Sequence, residues 1–180
     1  DGADELAGLD QSTGLWVAVS AAGEPLAGSL FWGLSGVKPM AADFNGDGTA
    51  DLAVFDRGTG RWFIRTLEGD TLAWDLVWGW AGGDAVPGDY DGDGISDLAV
   101  FDQATGGWFI RTLGGTTLAW NLNWGWPGVR PVSGDFDGDG THDLAIFDNA
   151  TGRWFIRSLT AGPLVWNEFW GWSGVQPVGR

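Results

Sequence analysis

The chain has 180 residues, with 32 Gly, 14 Trp, no Cys and a formal net charge of −15. The lack of Cys removes disulfides and thiol chemistry, and an acidic balance without a basic stripe argues against nucleic acid as a partner. No apolar run is long enough to cross a bilayer, so membrane insertion is not expected, and a single domain of this length buries a substantial core.

Taken from the N-terminus, residues 1–42 form a first, incomplete copy of a pattern. Asp1-Gly2-Ala3-Asp4-Glu5 aligns with Asp47–Asp51, so the sequence opens inside an acidic loop. The loop first appears complete as DFNGDGTAD at 43–51, then as DYDGDGISD at 89–97 and DFDGDGTHD at 135–143, which fixes a period of 46. Residues 43–88 and 89–134 agree at 30 of 46 positions, and 135–180 is similarly close. Repeats of this length bury their faces only against neighbouring copies.

Each period reads as four short strands. In the copy around the second loop they are AVPGDY before the loop, then DLAVFD, GWFIRTL and LAWNLNWGW. In the third of these, Trp108 and Ile110 oppose Phe109 and Arg111. In the fourth, Trp120, Leu122, Trp124 and Trp126 share one parity, as on a strand with one buried face. Four antiparallel strands joined by Gly-rich turns and repeated in tandem predict an all-β fold, a β-propeller of four-stranded blades, with 1–180 as one domain divided at 1–42, 43–88, 89–134 and 135–180. Closure has two forms. The C-terminal VQPV strand completes the N-terminal blade of a four-bladed monomer, or two chains exchange these ends in a homodimer with a larger, eight-bladed ring.

The spacing of the loops carries a ligand logic. Side chains at loop positions 1, 3, 5 and 9 and the carbonyl of position 7 converge on one ion, with Gly at position 6 allowing the sharp turn. The first set is Asp43, Asn45, Asp47, Thr49 by its carbonyl, and Asp51. The second is Asp89, Asp91, Asp93, Ile95 by its carbonyl, and Asp97, and the third is Asp135, Asp137, Asp139, Thr141 by its carbonyl, and Asp143. Val54, Val100 and Ile146 stand at position 12, where an EF-hand needs an acid, so the loops are not EF-hands. All-oxygen ligation favours Ca2+, at about three sites. Eleven of the 24 acidic residues lie in these loops, and three calcium ions would move the net charge from −15 to −9.

These motifs resemble the FG-GAP or VCBS calcium-binding repeats of bacterial secreted proteins, which are related to the blades of integrin α-subunits and of fungal propeller lectins. The resemblance implies an acidic loop joining the innermost strand of a blade to its second strand, and an extracellular or cell-surface location. The first copy departs from the pattern, with WVAV at 16–19 for WFIR and Leu34 for Trp80, Trp126 and Trp172, so no metal site is assigned to it.

The Trp residues have two readings. They fill wedges between sheets, or those nearest the blade edges form platforms for sugar rings. The Trp-Gly-Trp segments with Trp78, Trp80, Trp124, Trp126, Trp170 and Trp172 are the candidate ligand-binding residues. Arg65, Arg111 and Arg157 recur at one position and read as structural ion pairs with an Asp of a neighbouring blade. Glu168, where Leu76 and Leu122 stand in other copies, marks either a blade-specific pocket or an exposed edge. His142 is expected to face solvent. No nucleophile and base can be paired, so an enzyme is not expected. The expected function is a non-enzymatic calcium-binding module for glycans. Its rivals are a scaffold for cell-surface proteins or an accessory domain of a larger secreted protein.

Overall fold

The computed structural model describes residues 6–19, 24–25, 30–33 and 35–177. These residues form strands and no helix, and hence no helix long and apolar enough to cross a membrane. The chain divides into two compact units, Asp1–Gly82 and Gly83–Arg180.

The first unit holds two antiparallel sheets. One has three strands among the described residues, β1 (Leu6–Asp10), β2 (Leu15–Val19) and β3 (Leu30–Phe31), and the other has β4 (Lys38–Ala42), β5 (Asp51–Asp56), β6 (Arg61–Arg65) and β7 (Thr71–Val77). The second unit holds two four-stranded sheets. These are β8 (Gly83–Ala85), β9 (Leu98–Asp102), β10 (Gly107–Arg111) and β11 (Thr117–Asn123), then β12 (Arg130–Gly134), β13 (Asp143–Asp148), β14 (Arg153–Ser158) and β15 (Gly162–Phe169). All pairings are antiparallel between sequence neighbours, the topology of propeller-like blades. In the three four-stranded sheets the acidic loop joins the first strand to the second, as the resemblance implied. The sheets therefore begin before the sequence repeats do, at Lys38, Gly83 and Arg130.

Apolar side chains on both parities explain why β9 and β13 are buried on both faces. In the second unit, Ala99, Phe101, Trp108 and Ile110 from one sheet form a common core with Leu144, Ile146 and Phe155 from the next. In the first unit Trp16 and Trp32 meet Leu52 and Val54 in the same way. At about 25 cal/mol per Å² of apolar surface removed from water, such aromatic-rich contacts dominate the stabilisation.

The last strand of each four-stranded sheet corrects the alternation read from sequence. Trp108 pairs with Leu122 while Ile110 pairs with Ala119, so β11 carries one residue more than β10 across this stretch. Asn121 absorbs it in the left-handed region, at φ 53°. The extra residue inverts parity: Leu122 and Ala119 lie on the Trp108 face, whereas Trp120 turns to the other face and is exposed. Asp75 at φ 59° and Asn167 at φ 65° do the same in β7 and β15.

Each Trp-Gly-Trp segment lies beyond its strand, clasped to the turn between the second and third strands. In the second unit Asp102 accepts from Ala104 N and Thr105 Oγ1, at 2.9 and 2.6 Å, shaping a turn that ends at Gly106. Gly106 O accepts from Trp124 N at 3.1 Å, and Trp108 Nε1 donates to Trp124 O at 2.8 Å. A Cβ on Gly106 would lie 2.1 Å from Gly125 C, so the two backbones cross where only glycine fits. The VQPV strand expected at the C-terminus lies partly outside the described residues, and its described part, 175–177, is not a strand.

Candidate metal sites and the aromatic rims

Position 1 of each complete loop is an acid held in a cradle of amides. Asp43 accepts from Gly46 N at 2.6 Å and Gly48 N at 2.8 Å, Asp89 from Gly92 N at 2.7 Å and Gly94 N at 2.9 Å, and Asp135 from Gly138 N at 2.6 Å and Gly140 N at 3.0 Å. These donors, with Gly140 first, hold the Asp135 carboxyl below the usual range. Position 9 is anchored from the other side: Asp51, Asp97 and Asp143 each accept from the amide of position 2, Phe44, Tyr90 or Phe136, at 2.9 Å. Tyr90 is itself fixed by its hydroxyl, which donates to Val86 O at 2.9 Å.

Two loops gather three acids each. Carboxylate oxygens of Asp89, Asp91 and Asp97 lie within 4.8 Å of one another, as do those of Asp135, Asp137 and Asp143. Positions 1, 3 and 9 thus converge as the spacing required. The position 5 acids Asp47, Asp93 and Asp139 instead accept from the amides of Thr49, Ile95 and Thr141, each at 2.8 Å. Those three residues, expected to ligate through their carbonyls, have their amides tied to position 5. In the first loop Asn45 occupies position 3, and its Nδ2 donates to Asp47 at 2.8 Å. The loop remnant at residues 1–5 lies outside the described residues.

Electrostatics at position 9 fit a cation. Burial, reinforced by Asp91, Asp89 and Asp93, pushes Asp97 up to about 7, and burial with Asp47 and Asp43 pushes Asp51 up to about 6. Asp143 is raised for the same reasons, burial first. Its Oδ1 is buried without a hydrogen-bond partner beside two more carboxylates. An orphaned acceptor of that kind is what a bound hard cation satisfies, and the donor set is oxygen throughout.

Residues 43–100 match the model of the family described as FG-GAP-like repeat. This stretch carries an FG-GAP-like repeat. The match spans the first complete loop and the whole second loop, including the Asp89, Asp91 and Asp97 cluster. No curated protein matches the chain. Among solved structures, a protein of unknown function from Bacteroides caccae aligns with a TM-score of 0.53 at 14% identity, over 90% of this chain and 59% of that one. The V. cholerae biofilm matrix protein Bap1 aligns at 0.47 with 18% identity, over 91% and 26%, and apo AztD from Citrobacter koseri at 0.48 with 16% identity, over 97% and 48%. The chain spans less than two thirds of each.

Around the FG-GAP-like loops, the candidate ligand residues fall into different settings. Trp78 and Trp80 are half-buried, Trp124 is buried, Trp126 lies at the rim, and Trp170 and Trp172 are exposed. The bulged strands add exposed aromatics outside the Trp-Gly-Trp segments. Trp74, Trp120 and Trp166 each stand edge-on to a Phe, at 5.2 Å from Phe63, 5.2 Å from Phe109 and 5.3 Å from Phe155. The signal for them was present as Asp75, Asn121 and Asn167, residue types that tolerate positive φ, directly after each Trp.

Two further expectations change. Arg65 donates to Gly69 O and Arg157 to Ser158 O, carbonyls of their own hairpins instead of an Asp of a neighbouring sheet, and Arg157 also lies 5.5 Å from the Trp124 ring. His142 is half-buried against the second loop. Its amide donates to Asp89 O at 2.6 Å, its Nδ1 accepts from Asp89 N at 3.3 Å, and a Cβ on Gly88 would touch its ring.

Proposed function

We propose that the chain is a calcium-stabilised β-propeller module, extracellular or at a cell surface, that binds carbohydrate without catalysing a reaction. The orphaned Oδ1 of Asp143 within a three-carboxylate cluster carries the metal part of this reading. Calcium matches an all-oxygen set on a flexible loop, and weak sites with dissociation constants of about 0.1–1 mM are enough outside a cell. The FG-GAP-like match over residues 43–100 supports the same ion. Four sheets of blade topology, each faced by the next within its unit, support a propeller.

The exposed Trp74 and Trp120, each braced by a Phe, support the carbohydrate part. Flat apolar rings followed in the chain by Asp75 and Asn121 offer a sugar both a stacking surface and hydrogen-bond partners. Titration calorimetry with calcium tests the metal, and heat uptake without saturation in the millimolar range would refute it. A glycan array probed with and without calcium tests the ligand. Silence on every sugar removes the lectin reading and leaves the scaffold for protein partners.

A further inference from the structure

His142 is the only His of the chain and Tyr90 the only Tyr, and among near-identical repeats such single occurrences mark where one copy departs from the rest. Phe44 and Phe136 stand where Tyr90 does, Ala50 and Ser96 where His142 does, and Ala41 and Pro87 where Ser133 does. All three departures fall within Gly83–Arg180, where the third acidic loop lies on the second. Ser133 Oγ donates to Pro87 O at 2.8 Å, the His142 ring stands edge-on to Tyr90 at 6.2 Å, and a Cβ on Gly92 would lie 2.8 Å from the Thr141 methyl.

From the third loop His142 reaches both ends of the second. Its amide donates to Asp89 O and its Nδ1 accepts from Asp89 N, so the backbone of position 1 is held on both sides. Its ring rests on Gly88, where a Cβ would come within 2.7 Å of it, and Gly88 O accepts from Asp97 N at 2.8 Å. Tyr90 gives its own amide to Asp97 Oδ2. Positions 1 and 9 of the second loop are therefore each bonded to a group that His142 touches or are touched by it directly. The residue after His142 is Asp143, the buried acid with the orphaned Oδ1 in the third loop. Candidate ligands of two different sites thus stand one residue apart along a single hydrogen-bonded link.

Resting on the calcium reading above, we propose that His142 is a positioning residue that couples the two cation sites of this unit, so that an ion in the third loop raises the affinity of the second. An ion at Asp143 fixes the backbone beside it and with it the His142 amide and ring. Asp89 and Asp97 are then already held at the separation that the second ion needs. The coupling is reciprocal, since an ion in the second loop must favour the third by the same factor. Repulsion between two bound cations opposes the effect. Salt screens that repulsion and leaves the hydrogen-bonded link in place, so the coupling grows with ionic strength.

A calcium titration of the full chain followed by NMR tests this, with the amides of Gly94 and Gly140 reporting the two loops separately. In the parent both curves are expected to share a midpoint and to be steeper than single-site binding. His142→Ser introduces the residue type that the second loop itself carries as Ser96, and is expected to remove the steepness and raise the Gly94 midpoint by about fivefold. Asp137→Asn, which matches Asn45 of the first loop, weakens the third site and raises the Gly94 midpoint by a similar factor, but adds little when His142 is already replaced. The lost acidic charge acts equally in both backgrounds, so the difference isolates the link. Gly88→Ala displaces the ring from the other side and should mimic His142→Ser, with no further shift when the two are combined. A role confined to folding would move both midpoints yet leave the effect of Asp137→Asn intact. A Gly94 midpoint indifferent to Asp137→Asn, or equally sensitive to it with and without His142, overturns the coupling while the calcium reading stands. Loop glycines that do not move with calcium up to about 10 mM overturn both.

Discussion

Asp143 illustrates how much of the behaviour of this chain resides in single carboxylates. Its Oδ2 is satisfied by Phe136 N, its Oδ1 is orphaned, and Asp135 and Asp137 stand within reach. Replacing it with Asn removes a charge that burial opposes and, under the calcium proposal, also weakens a metal ligand. The variant is therefore expected to melt higher than the parent without calcium and to lose about 1–3 kcal/mol of the stabilisation that calcium provides. Melting curves with and without the ion show both signs at once. Equal shifts in the two conditions would refute the assignment of Asp143 as a ligand.

Proton linkage gives a second test at the same scale. The Asp97 carboxyl is raised from 3.8 to about 7 in the folded chain without metal. Between those values the native state keeps a proton that the unfolded chain has released. Stability of the calcium-free protein is thus highest below about pH 4 as far as this group is concerned, and is lost as the pH rises through 7. Asp51, raised to about 6, acts in the same direction over a narrower window. Calcium needs the ionised form, so the stabilisation by calcium is expected to grow over the same interval. Thermal melts from pH 4 to 8, with and without calcium, should diverge as the pH rises, and parallel curves would sink the idea.

At the scale of elements, the crossing of Gly106 and Gly125 fixes where each Trp-Gly-Trp segment can lie. Gly106→Ala places a methyl 2.1 Å from Gly125 C and strains a positive φ as well. The expected loss is about 2 kcal/mol or more, with quenching of Trp124 altered. Gly128→Ala is the control: φ is +93° there but nothing lies within 4 Å, so only the backbone penalty of about 1 kcal/mol applies. Similar losses for the two would show that the crossing does not constrain the segment.

The same strands explain what the sequence could and could not disclose. The loops were legible because their acids and glycines are required by local geometry: Asp89 at position 1 and Asp97 at position 9 converge through amides only a few residues away. Strand order was legible for the same reason, since hairpins join sequence neighbours. The side on which Trp120 emerges was not. A parity count across LAWNLNWGW assumes an uninterrupted strand, whereas Asn121 inserts one left-handed residue and inverts everything before it. Nor was the partner of Arg157 legible, because which of a carbonyl or a carboxylate it meets depends on how its hairpin folds back.

For the whole molecule, the proposed calcium sites would couple folding to the divalent ion. Two clusters of three acids and a third loop with Asn45 sit within the first connection of three sheets. Chelation is expected to lower the melting temperature by several degrees, because an ion bound only by the folded state stabilises it. Restoring calcium should reverse the shift, and magnesium at the same concentration should do so less well, since it demands a stricter octahedral shell. A melting temperature indifferent to chelator would refute structural calcium.

The clasp between the Asp102–Gly106 turn and Trp124 is made entirely inside one sheet, and the same glycine crossing recurs at Gly60 with Gly79 and at Gly152 with Gly171. Every four-stranded module thus carries this clasp within itself. A module added to the row therefore arrives with its last strand already tied down and needs from its neighbours only the cover for its apolar faces.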